Sequence, residues 1–237
     1  VQGQLNDFVL GPYLPRISWI TEPLGTLGVS EGTGVTAVFF GYCVLLGLLI
    51  SGVRPRLVSF LTFLAHYMIL YATGSVSSYG VDTFCHVILF NLSLFPSHKM
   101  TDEHGAEVET DVNRVGLRLI QVHLATVYFV AGVAKSFGDQ WWNGEAIWRA
   151  LNLPEFSQYD VTLLAQAPLL ALVLSLGTLF FEILYPPLIA WRKTRLLTLA
   201  SIIGMHIGIF IFMGLHTFAL LLIGWNVIAF FDRSLFN

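Results

Sequence analysis

Nine side chains lie inside otherwise apolar runs although neither lipid nor a dry core tolerates them alone. They are His66, Asp82, His86, Gln121, His123, Lys135, Glu182, His206 and Asn226. Each needs a hydrogen-bond partner, a counter-ion or a water-lined cavity. Lys135 is the costliest, at ~2.5–3.5 kcal/mol for a lysine at the bilayer centre on insertion scales. A lysine near the interface avoids that cost by snorkelling into the headgroups. A buried one has a destabilised ammonium and can serve as a base. Histidines in such runs offer proton transfer or an axial bond to haem iron or chlorophyll magnesium. An ordinary hydrogen-bonded packing role is the commoner fate of each.

Spacing places several of these groups on common faces. Gln121, Ala125, Tyr128, Gly132 and Lys135 recur at steps of four, three, four and three, which is one stripe of an α-helix. Ser175, Thr178, Glu182 and Tyr185 form a second stripe. Both are expected to face the interior of a helix bundle, where the plainer role is interhelical hydrogen bonding.

The elements that carry these faces follow from composition. The 237 residues are 55% hydrophobic and 11% charged, whereas soluble domains are about 25% charged. This composition, with several apolar runs near the ~20 residues that cross a bilayer, predicts an all-α polytopic transmembrane bundle. A net charge of −3 excludes a nucleic-acid footprint. Cys43 and Cys85 fall in apolar runs and read as small buried residues, not a disulfide framework or a metal site.

Seven spans are expected, at about 35–53, 57–73, 81–96, 115–137, within 162–190, 196–213 and 217–231. Pro168 interrupts the fifth, and Pro186-Pro187 closes it. Residues 1–34 suit an interfacial segment, and 97–113 a polar cytoplasmic loop. Residues 139–152, with Trp141, Trp142 and Trp148, suit an interfacial helix. The whole chain reads as a single transmembrane domain.

With seven spans, nine of the twelve lysines and arginines fall on one side: Arg54, Arg56, Lys99, Arg114, Arg118, Arg192, Lys193, Arg195 and Arg233. The positive-inside rule then places the C-terminus in the cytoplasm and the N-terminus outside. A signal or a further transmembrane helix before Val1 is expected on that ground. In this frame the fourth span runs outward and the fifth inward. Lys135 therefore falls near the outer face and Glu182 in the inner half, nearer in depth to Gln121 and His123. No ion pair between Lys135 and Glu182 is expected.

The residues Tyr128-Phe129-Val130-Ala131-Gly132-Val133-Ala134-Lys135, followed by Trp142-Asn143-Gly144, resemble the YFIAGVKK…W-x-x-G stretch of the vitamin K-dependent γ-carboxylase. Bacterial relatives of that enzyme carry the same membrane unit, the horizontally transferred transmembrane (HTTM) domain. Leu117-Arg118 and Gln121 fit the same stretch. Met205-His206 through Met213-Gly214 and Phe218 is similar to the family's FH…IGMF stretch, and Glu182 ahead of Pro186-Pro187 resembles the bacterial pattern. The resemblance covers roughly residues 40–232.

The resemblance implies a quinone or hydroquinone cofactor. It also implies Lys135 as the base that deprotonates it, with His206, Tyr128 and Gln121 orienting the reaction. Trp142, Glu182, His123 and His86 are the implied cofactor contacts. Two departures matter. Ala134 stands where the family has its first lysine. The region matching the family's histidine-bearing NNH stretch, Ser77 to Asp82, has no histidine, and His86 follows one turn on. No counterpart of the family's propeptide-binding lumenal domain lies in these residues, so glutamate carboxylation is not implied.

Three functions compete on these grounds. One is a membrane enzyme of the bacterial inner membrane, taking a quinol or peptide substrate laterally from the bilayer. Another is a non-catalytic subunit of a respiratory or photosynthetic complex, binding lipid, quinone or pigment through its histidines and packing against other membrane subunits. A transporter ranks last, since Pro168 is the one candidate helix break and no internal repeat is visible.

Overall fold

The computed structural model describes residues 25–73, 81–95, 100–101, 107–108, 111–154, 159 and 161–230. These are α-helical apart from one antiparallel pairing of two-residue strands, β1 (Met100–Thr101) and β2 (Glu107–Val108). The strands lie in the stretch read as a polar loop. The chain divides into two compact units, residues 1–118 and 119–237. Residues 1–24, most of the expected interfacial segment, and the 74–80 loop lie outside the described residues.

In the N-terminal unit, α1 (Glu31–Ile50), α2 (Pro55–Thr73) and α3 (Val81–Leu94) pack as successive pairs. Ser30 starts α1 by accepting the Thr33 N–H at 3.2 Å, which satisfies one of the orphan donors of the first turn. Pro55 starts α2, where its missing N–H costs nothing. The core is formed by Val58, Phe84, Ile88 and Leu89 together with the polar Ser59, Thr62 and His66. Ser59 and Thr62 donate to the carbonyls of Pro55 and Val58 one turn back, which meets their hydrogen-bonding need inside their own helix. Cys43, expected to be buried, is exposed on α1.

Helix α4 (Asp111–Ser136) contains the boundary between the units. The C-terminal unit comprises its later part and α5 (Asp139–Trp142), α6 (Glu145–Leu151), α7 (Thr162–Ala165), α8 (Pro168–Ile183), α9 (Tyr185–Ala190), α10 (Arg192–Met213) and α11 (His216–Phe230). The expected interfacial helix at 139–152 is two short helices, α5 and α6, hinged at Asn143-Gly144. The expected fifth span is three helices. The run breaks just ahead of Pro168, as expected: α7 ends at Ala165 and Pro168 opens α8 at its first position, while Pro186-Pro187 sit in the first turn of α9, after α8 has ended. Both placements suit a residue that fixes φ and lacks a donor.

Among the described residues, two helical stretches, Arg114–Ser136 and Arg192–Met213, are long and apolar enough to cross a membrane. The apolar stretches Thr36–Ile50, Asp82–Leu94, Pro168–Ile183 and His216–Phe230 are shorter. The C-terminal unit carries many apolar side chains on its surface and a cluster of polar ones within an otherwise apolar core. Val122, Phe129 and Val130 on α4, Val173, Leu174 and Phe180 on α8, and Leu197 and Ile207 on α10 are exposed. Glu182, His206, Asn226, Ser175 and Thr198 are buried. Water around such a surface would leave these apolar side chains without the gain that burial brings. Lipid would not.

Candidate functional site: a lysine–glutamate pair and a tyrosine–histidine–asparagine network

The seam on α4 faces inward. Gln121 donates to the Ala229 carbonyl on α11 at 2.6 Å. Tyr128 is 3% exposed. At Gly132 the helix meets the end of α8: a Cβ there would lie 2.8 Å from the Ile183 backbone nitrogen and 2.9 Å from the Glu182 Cβ. Only glycine admits that approach. One turn on, the Lys135 Nζ donates to the Glu182 Oε2 at 2.6 Å. The side chain of Glu182 is 6% exposed and that of Lys135 is 27% exposed, so the glutamate is the more deeply buried partner.

This ion pair overturns the expectation that Lys135 and Glu182 lie at different depths. The expectation counted residues along straight helices running from face to face. In the structure α8 starts only at Pro168, and its N-terminal half packs along α5 and α6, beyond the end of α4. Gly144 marks that contact. Its φ is +88°, and a Cβ there would lie 2.8 Å from the Leu172 Cα. Ten residues further along α8, Glu182 and Ile183 reach Gly132. The last turn of α4 and the last turn of α8 therefore coincide.

The Trp-Asn-Gly stretch builds the joint that holds this end of α4. The Trp142 indole N–H donates to the Ser136 carbonyl at 2.8 Å, covering one of the helix's orphan acceptors. The Asn143 Oδ1 accepts the Glu145 N–H at 2.9 Å, and Gly144 turns the chain onto α8. The ring that faces the lysine is that of Trp141, 5.5 Å from Nζ to its centroid, within cation–π range. Trp142, the tryptophan of the motif, is occupied at the backbone. Glu145 and Arg149 form an exposed pair on α6.

Two turns before Lys135, Tyr128 belongs to a closed network. The Tyr185 hydroxyl donates to the Asn226 Oδ1 at 2.6 Å. The Asn226 Nδ2 donates to the Leu222 carbonyl and to the Tyr128 oxygen, both at 2.8 Å. The Tyr128 hydroxyl lies 2.8 Å from the His206 Nε2. The directions follow from chemistry. A carbonyl only accepts, so the Leu222 contact fixes which end of the amide is nitrogen. Its second hydrogen then goes to Tyr128, and the Tyr128 proton is left for His206. Nε2 accepts, so the neutral His206 ring carries its hydrogen on Nδ1. Nδ1 is buried and has no hydrogen-bond partner. The Tyr128 and Tyr185 rings pack at 4.4 Å, and Phe218 meets His206 edge-on at 5.7 Å.

The remaining sequence-predicted residues lie apart from this group. His123 is half-buried on α4, off the seam. Thr178, on the second stripe, bonds back to Leu174, while Ser175, Glu182 and Tyr185 are buried as that stripe implies. His86 belongs to the N-terminal unit, where its ring stacks on Phe63 at 4.1 Å and lies 5.8 Å from the His66 ring. His66 uses both nitrogens: Nδ1 meets the Tyr42 hydroxyl at 3.1 Å, and Nε2 meets the Asp82 carbonyl at 3.0 Å. Neither is left for an iron or magnesium ion. Tyr185, Asn226 and Trp141 were visible in the sequence as a stripe residue, an intramembrane polar residue and an interface anchor. Spacing along single helices did not bring them to Lys135 or Tyr128.

An apolar-surfaced helical unit with a part-buried ion pair and a directed polar network fits a membrane-embedded helical protein. A family model for the HTTM domain matches residues 26–234, nearly the whole chain, and the chain belongs to that family of membrane proteins. No curated protein and no solved structure matches the chain.

Proposed function

We propose that this protein is a membrane enzyme that binds a lipophilic oxygen acid, of the hydroquinone class, at Lys135. The observation that carries this reading is the ion pair: a lysine at the base position of the family motif, partly open, backed by a buried carboxylate at 2.6 Å. A pair of this kind gains little as a stabilising device. Replacing a buried ion pair by well-packed apolar residues is often neutral or better. Its retention is better accounted for by a function that needs charge.

Tyr128, His206 and Asn226 form a rigid wall two turns along the same seam. Gln121 ties α4 to α11, and the aromatic rings of Trp141 and Phe218 suit a flat, apolar ligand. The wider reading keeps seven spans, the bacterial inner membrane, a cytoplasmic C-terminus and lateral entry of substrate from the bilayer. A peptide as second substrate fits the same scheme.

The test is anaerobic titration of the protein in lipid nanodiscs with 1,4-naphthohydroquinone, followed by tryptophan fluorescence. Saturable quenching is expected, weakened ~10–100-fold in Lys135→Met, which is what losing one charge-assisted hydrogen bond of about 1.5–3 kcal/mol amounts to. Equal affinity in the variant would reject the reading.

A further inference from the structure

Lys135 reaches the outside and Glu182 does not, with side-chain exposures of 27% and 6%. The lysine is therefore the more accessible partner for an incoming ligand. An ammonium already donating to a carboxylate has no lone pair and cannot accept a proton until it gives one away. The carboxylate 2.6 Å behind it is placed to take that proton. The other titratable groups of the wall are committed elsewhere: Tyr128 bonds to His206 and Asn226, and Tyr185 bonds to Asn226.

We infer that Glu182 is the terminal proton acceptor of the site, and that Lys135 relays the substrate's proton to it and remains as the ammonium that holds the oxyanion. This rests on the reading that a weak oxygen acid binds at Lys135. In the step, the substrate O–H bond breaks and its proton forms a bond to Nζ. The Nζ–H bond facing Glu182 breaks, and that proton forms a bond to Oε2. Lysine stays an ammonium, the carboxylate becomes a carboxylic acid, and the substrate becomes an oxyanion. No electron changes hands. The ammonium exchanges one anionic partner for another, so no uncompensated charge is created in a medium where one is expensive. A neutral lysine acting alone would require the pair to begin with an unpaired Glu182 carboxylate or a second displaced proton.

The probe is 4-nitrophenol, whose phenolate absorbs visible light, added to the wild-type protein in nanodiscs. Infrared difference spectra of protein labelled with 13C-glutamate report the carboxyl group. The expected result is bound phenolate, a new isotope-shifted carboxylic-acid band and no proton released to the medium. In Glu182→Gln the amide oxygen still accepts from Lys135, so phenolate still binds; the band is absent and one proton per site appears in solution. Phenolate bound to wild type without the carboxylic-acid band, or with a proton released, overturns the inference while leaving the site reading intact. Failure of wild type to bind the phenol overturns both. The wild-type spectra decide the matter even if Glu182→Gln does not fold.

Discussion

The two units use histidine in opposite ways. In the N-terminal unit His66 spends both nitrogens on Tyr42 and the Asp82 backbone, and His86 is held by its face against Phe63. These contacts join α1, α2 and α3 and leave little room for proton traffic. In the C-terminal unit His206 sits at the end of a one-way chain of donors from Tyr185 through Asn226 and Tyr128, on the seam that leads to Lys135 and Glu182. A histidine whose two nitrogens are taken up by helix-joining partners is mortar. A histidine whose hydrogen is placed by a network from four helices is a candidate for chemistry. Residue type and apolar surroundings do not distinguish the two cases; the partners do.

The largest effect should come from breaking the ion pair on one side. Lys135→Ala leaves Glu182 buried without a counter-ion and is expected to destabilise by about 3–5 kcal/mol. Thermal unfolding in detergent micelles measures this, and a change below ~1 kcal/mol would mean that the pair is solvated. Next in size is Gly132→Ala. The added Cβ meets the Ile183 backbone nitrogen at 2.8 Å, and backbone cannot swing aside as a side chain can. Overpacking of this kind costs about 1–3 kcal/mol and should separate Lys135 from Glu182.

Removing one member of the network comes third. Tyr128→Phe strands an Asn226 N–H and the His206 Nε2, at about 1–3 kcal/mol. Nitrogen NMR of labelled histidine should show His206 protonated on Nδ1 in the wild type and a mixture of tautomers in the variant. Protonation on Nε2 in the wild type would refute the direction assigned to the chain. The smallest effect is expected in the N-terminal unit. His86→Phe keeps a flat ring on Phe63 and should change stability by less than about 1 kcal/mol. A larger loss would show that His86 does more than stack.

Much of this was legible from residue order. Periodicity found the seam from Gln121 to Lys135, because an α-helix repeats locally and one face is one list of positions. It also marked Ser175, Glu182 and Tyr185 as inward. The pairing of Lys135 with Glu182 was not legible. It depends on how far α8 is displaced along α4, which Gly132 and Gly144 set by allowing backbone-level contact, and a residue count assumes that displacement to be zero. The break at Asn143-Gly144 was missed for a related reason. An apolar run reads as continuous whether or not the helix within it stops. Asn226 showed only as a polar residue in an apolar run. Its three hydrogen bonds involve α4, α9 and its own helix α11, and nothing local encodes them.

On the proposed function Lys135 and Glu182 serve chemistry, not stability, and a charge-neutral double replacement separates the two. Lys135→Met with Glu182→Leu removes both charges together and leaves no orphan. The account predicts an unfolding temperature equal to or above that of the wild type, with binding of 1,4-naphthohydroquinone lost in the same sample. A double variant that binds the hydroquinone with wild-type affinity would contradict it.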